Sequence, residues 1–144
     1  MICGLTLVST LCASVFLAAP AHSAAVSAQP HALQLLINGK QLPITPFAGP
    51  DRYNPITAGK LSVVAKWKTK LQGTGLKVVI STTEPIVRTW RTCSTGTSCV
   101  VPSQVAILNG EQMSWIVRLM EVKRHYVKIL SGFMVCLARH THPA

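Results

Sequence analysis

The residues of this chain best spaced for chemistry are two cysteines in the segment Cys93-Ser-Thr-Gly-Thr-Ser-Cys99. Five residues with a glycine among them let a chain reverse, because Gly96 accepts positive φ without a Cβ clash. The two Cβ atoms can then lie opposite each other within disulfide reach. Closing so short a loop stabilises a fold by roughly 2 kcal/mol. Two other readings stay open, a pair of thiols and a metal site. The spacing is wider than the usual zinc knuckle, and no histidine pair stands at ligand distance in sequence from it. His140 and His142 with Cys136 offer no more than a fortuitous metal set near the end of the chain. The expectation is therefore a Cys93–Cys99 disulfide, no metal and no cofactor. Cys136 is left over, as a small buried apolar residue.

Acid–base chemistry has little to work with. The four acids Asp51, Glu84, Glu111 and Glu121 are scattered along 144 residues, whereas carboxylate catalysis needs two of them converging on one bond. The chain has no nucleophile elbow, no H-E-x-x-H, no phosphate-binding loop and no dinucleotide fingerprint. Those observations predict a protein that is not an enzyme. The remaining hydrolase reading would use His31 or His125 with one of the acids.

Basic residues carry the strongest signal. Lys and Arg number 14 against four acids, a formal charge of +10. Lys66, Lys68 and Lys70 alternate with Ala65, Trp67 and Leu71, a period of two that puts a lysine stripe on the outer face of a strand. Lys77 is expected beside them on the neighbouring strand. An anionic cell-surface polymer, a glycan or a lipid headgroup would suit such a face. Another extracellular protein would also fit. The plainer reading is a solvated face whose lysines block strand-to-strand aggregation. Trp67 and Trp115 fall on apolar faces and read as core. Trp90, if exposed, is the candidate for stacking against a sugar. Nucleic acid is disfavoured, since no RNA- or DNA-binding motif is present.

The elements that would position these residues follow an apolar amino terminus. Ile2 to Ala19 carries no charge and Pro20 ends the run. Small residues at −3 and −1 allow signal-peptidase cleavage after Ser23 or after Ala28. The n-region lacks a basic residue, so an uncleaved anchor of about 18 residues is the rival reading, with a buried helix of a cytosolic protein behind it. Residues 1–28 are thus read as a signal peptide and the protein as secreted or held at the cell surface.

Residues 29–58 form a proline-rich segment with one possible strand, Leu33 to Ile37, ending at an Asn38-Gly39 turn. From 59 to 144 the pattern is strands. They are expected at 61–71, 76–80, 86–93, near 99–101, at 113–122 and over 126–138, the last one or two broken at Ser131-Gly132. A helix at 113–130 competes on spacing, but β-branched and aromatic content favours strand. About six to eight strands with little helical period predict an all-β sandwich.

Gly75-Leu-Lys-Val-Val-Ile-Ser81, Arg91-Thr-Cys-Ser-Thr-Gly-Thr-Ser-Cys-Val-Val101 and Met113-Ser-Trp-Ile-Val-Arg118 resemble Ig-like β-sandwich modules of secreted bacterial proteins. Those modules pair an extended strand with a C-x-x-G-T-x-C hairpin and a following strand rich in Tyr and Ala. The resemblance covers about residues 60–125. It departs where Trp115-Ile-Val replaces Tyr-x-Ala and along the basic tail from Lys123. It implies a non-catalytic structural or adhesive module. The alternative function is a small cationic exported effector, a toxin or an enzyme inhibitor.

Overall fold

The computed structural model of the chain describes residues 32–44 and 53–140. They form an all-β sandwich of eleven strands without an α-helix. Seven are four residues or longer: β1 (Gln34–Ile37), β5 (Val63–Gln72), β6 (Leu76–Glu84), β7 (Arg88–Cys93), β8 (Thr95–Val100), β10 (Gln112–Lys123) and β11 (Tyr126–Arg139). Four are short: β2 (Lys40–Gln41), β3 (Asn54–Ile56), β4 (Lys60–Leu61) and β9 (Val105–Ala106). The helix that competed for 113–130 is absent, and two long antiparallel strands occupy that stretch.

One sheet runs β2-β1-β5-β8 and the other β3-β11-β10-β6-β7, with β4 and β9 paired beside them. Alternation explains the core. Leu35, Ile37, Val63, Ala65, Trp67 and Leu71 point inward from the first sheet, and Val78, Ile80, Trp115, Val117, Leu119, Val135 and Leu137 from the second. Trp115, at 0% exposure, fills the middle.

The sandwich begins earlier than residue 59. β1 pairs antiparallel with β5, Gln34 opposite Lys66 and Ile37 opposite Val63, and Leu33, Leu35 and Ile37 are core. The Asn38-Gly39 turn forms as expected, both residues with positive φ, 52° and 79°, which suits a two-residue hairpin to strand twist. β3 is an edge strand containing Pro55, running parallel to the end of β11, where a missing N–H costs least. Both candidate cleavage sites lie outside the described residues.

The Cys93–Cys99 disulfide is present, with Cα atoms 5.7 Å apart, but it does not close a simple hairpin. Cys93 ends β7 at the edge of the second sheet, and Cys99 lies in β8 at the edge of the first. The chain changes sheets at Ser94, and the disulfide joins the two layers along one side. Gly96, at φ 75°, exposes its carbonyl to Trp67 Nε1 at 2.8 Å. Residues 67–70 bulge where the β5–β8 register slips between Lys66 and Leu71.

Candidate functional site

The cations gather at one end of the sandwich. β5 carries Lys68 and Lys70 towards the Gly73–Gly75 turn, and β6 leaves that turn with Lys77. The same turn is tied to the tip of the β10–β11 hairpin, where Val122 N donates to Gly75 O at 2.7 Å. Lys123 and Lys128 flank that tip, and Arg124 and His125 form its turn. Six Lys and Arg side chains therefore surround this end. Glu121 is the one acid there among the described residues.

Lys66, Lys68 and Lys70 are exposed on the outer face of the first sheet, since Ala65, Trp67 and Leu71 beside them are buried. Lys77 does not extend that stripe. β6 belongs to the second sheet, and Val78 beside it is core, so Lys77 projects from the opposite outer face. Period-two alternation gives the side of a strand but not which sheet the next strand joins.

Trp90 is half-buried. Its ring centroid is 5.7 Å from that of Trp115, the Arg88 guanidinium carbon stands 3.9 Å from its centroid, and its Nε1 donates to Thr82 Oγ1 at 3.0 Å. A sugar stacking on this ring would have to displace Arg88 or Trp115.

The β10–β11 hairpin carries an irregularity that the sequence pattern does not specify. Leu119 pairs with Ser131 and Met120 with Ile129, leaving Leu130 as an extra residue in a β-bulge. The bulge turns Leu130 towards the core and resets the facing of everything beyond it. On one face Met120 stands opposite Ile129 and Val122 opposite Val127; on the other Glu121 stands opposite Lys128 and Lys123 opposite Tyr126. The second face is tied together. Tyr126 Oη donates to Glu121 Oε1 at 3.2 Å, Lys123 Nζ is 3.8 Å from Glu121 Oε2, and the same ammonium lies 5.8 Å from the Tyr126 ring centroid. The Tyr126 hydroxyl, and after it the Glu121 charge, raise the Lys123 pKa above the ordinary lysine value.

A second polar cluster sits at the opposite end of the same strands. Glu84 Oε1 accepts hydrogen bonds from Tyr53 Oη and from Ser114 Oγ at 2.6 Å, and Ser114 Oγ lies 3.4 Å from the Cys136 thiol. Asn54 Nδ2 donates to the Cys136 carbonyl at 3.0 Å. The Ser114 and Tyr53 hydroxyls hold the Glu84 carboxyl below the usual glutamate range. The bond to Glu84 raises the Tyr53 pKa. A carboxylate so stabilised is a weak base at neutral pH, and the cluster acts as a clamp fastening the β3 segment to the second sheet. Cys136 is buried there, as expected, though on the outer face of the sheet rather than in the central core.

Among the described residues, no three His, Cys, Asp or Glu side chains are grouped as metal ligands. His125 lies at the exposed hairpin turn, and His31 and His142 fall outside the described residues. Site and fold together define a cation-ended, disulfide-joined β-sandwich. No family model, curated protein or solved structure matches the chain.

Proposed function

We propose that this protein is a non-catalytic, exported binding module of Ig-like character whose basic surface contacts anionic ligands outside the cell. The observation that carries the reading is the placement of Lys68, Lys70, Lys77, Lys123, Arg124 and Lys128 around one end of the sandwich, against a single acid among the described residues, Glu121. Charge concentrated in this way raises the local potential and draws in polyanions at low ionic strength. Export is supported by the uncharged apolar run from Ile2 to Ala19 and by the disulfide, which persists in oxidising compartments.

Two measurements test the proposal. Intact mass of protein recovered from an export compartment, alkylated with and without reduction, is expected to begin near Ala24 or Gln29 with Cys93 and Cys99 protected until reduction. A full-length product with both thiols open would remove export from the account. For binding, retention on a soluble polyanion such as polyphosphate is expected to fall steeply with salt. K66Q/K68Q/K70Q should weaken it on the order of tenfold or more. Salt-independent retention, or none in the wild type, would overturn the reading.

A further inference from the structure

The projecting hairpin carries more than charge. Val127 is 59% exposed, Ile129 56% and Tyr126 45%, values at which apolar surface is left facing water. Because of the bulge at Leu130, the exposed Val127 and Ile129 share one face with Met120 and Val122. Lys123, Arg124, His125 and Lys128 surround that face from the turn and the opposite side. A soluble polyanion could neutralise the cations, but would leave the exposed Val127 and Ile129, and the uncovered parts of the half-buried Met120 and Val122, in water. An anionic bilayer offers a partner to both, phosphate headgroups for the cations and acyl chains for the aliphatic side chains. Tyr126, with an apolar ring and a polar tip, is of the type that settles at such a boundary.

We infer that the β10–β11 hairpin tip is a membrane-docking element that inserts its Met120–Val122–Val127–Ile129 face into the interfacial region of an anionic lipid bilayer, held there by Lys123, Arg124 and Lys128. The inference rests on the reading of this protein as an anion-binding module, but it uses residues other than Lys66, Lys68 and Lys70. Exposed apolar side chains elsewhere supply a control. Ile86, Val87 and Leu108 are also exposed, on loops at the end that holds Glu84 and Glu111, where the neighbouring Arg88 lies over the Trp90 ring.

The test uses the full chain carrying V127W, with vesicles of bromine-labelled phosphatidylcholine made with or without phosphatidylglycerol. An apolar segment retained at the amino terminus would bind either vesicle, so the readout is local: quenching of the tryptophan introduced at 127, taken as the difference from the parent chain. Quenching is expected on phosphatidylglycerol vesicles. Adding K123Q/R124Q/K128Q to V127W should weaken the tip's engagement by about two orders of magnitude, since each basic residue near an anionic surface contributes about 1 kcal/mol. Added to V127W, I129D should abolish the quenching, whereas V87D should leave it unchanged. An unquenched tryptophan on anionic vesicles overturns the inference, as does quenching that survives loss of the three cations. If vesicle docking fails while polyphosphate retention persists, the bilayer is wrong and the anion-binding reading stands. If both fail, that reading falls as well.

Discussion

β10 and β11 run the length of the second sheet, and their two ends use polar atoms in opposite ways. At the Ser114–Cys136 end, hydroxyl, carboxylate and thiol turn towards one another: Tyr53 and Ser114 donate to Glu84, and Ser114 lies against Cys136. At the Lys123–Tyr126 end, the side-chain contacts of Glu121, Lys123 and Tyr126 occupy one face, and the other presents Val127 and Ile129 to solvent. The first arrangement satisfies its own groups and asks for no ligand. The second keeps cations and exposed aliphatic side chains together at the surface, with Lys123 held by Glu121. The contrast teaches that a cluster of reactive residue types need not be the functional site. Ser, Glu, Tyr and Cys meet at the clamp and engage one another, whereas the exposed cations and aliphatic side chains gather at the tip.

Variants should separate the ends. The largest effect is expected at the core shared by both: Trp115→Ala should cost about 3–5 kcal/mol through the cavity it leaves, read as a large fall in melting temperature. Removing the link between layers with C93S/C99S should cost roughly 2 kcal/mol, seen in denaturant melts and in reduced wild type alike. Glu84→Gln, which removes the charged acceptor of two hydroxyls, is expected to cost about 1–2 kcal/mol and to leave polyanion retention unchanged. A loss of retention in that variant would break the division of labour.

The clamp also predicts a pH dependence. A carboxylate whose folded pKa is depressed stabilises fully above its unfolded value, about 4.3, and loses that contribution as pH falls through the folded one. The stability gap between wild type and Glu84→Gln should therefore close below about pH 4. Tyr53 has the opposite sign: its raised pKa gives a contribution present below about pH 10 and lost above it. The smallest stability change belongs to the tip. Val127→Asp should shift unfolding by less than about 0.5 kcal/mol while removing the protection that anionic vesicles give to amides near residues 122–129.

Local signals were legible in the sequence wherever backbone chemistry alone decides. Asn38-Gly39 specified its turn, the 61–71 alternation specified which side chains of β5 are buried, and Trp67 and Trp115 were identifiable as core. Three features depended on contacts distant in the chain. Gln34–Ile37 of the proline-rich segment joins the sandwich by pairing with β5, a pairing that proline content obscured. The cysteine loop bridges two sheets because the chain switches layers at Ser94, which turn propensity does not report. The amphipathic tip was hidden because an unbroken period of two cannot place Ile129 and Leu130 on the sides they occupy. Only the bulge does so, and it follows from how β11 pairs with β10. The Glu84 clamp joins residues 53, 84, 114 and 136, too far apart in sequence for any motif to mark.

The contrast between the ends is tested most directly by amide hydrogen exchange on the full chain, with and without anionic vesicles. The account predicts that in the free protein amides near residues 122–129 exchange faster than those of β10 and β11 around Ser114 and Cys136. On vesicles the tip should gain protection while the clamp end stays unchanged. Protection that appeared at the clamp end, or nowhere in the hairpin, would contradict it.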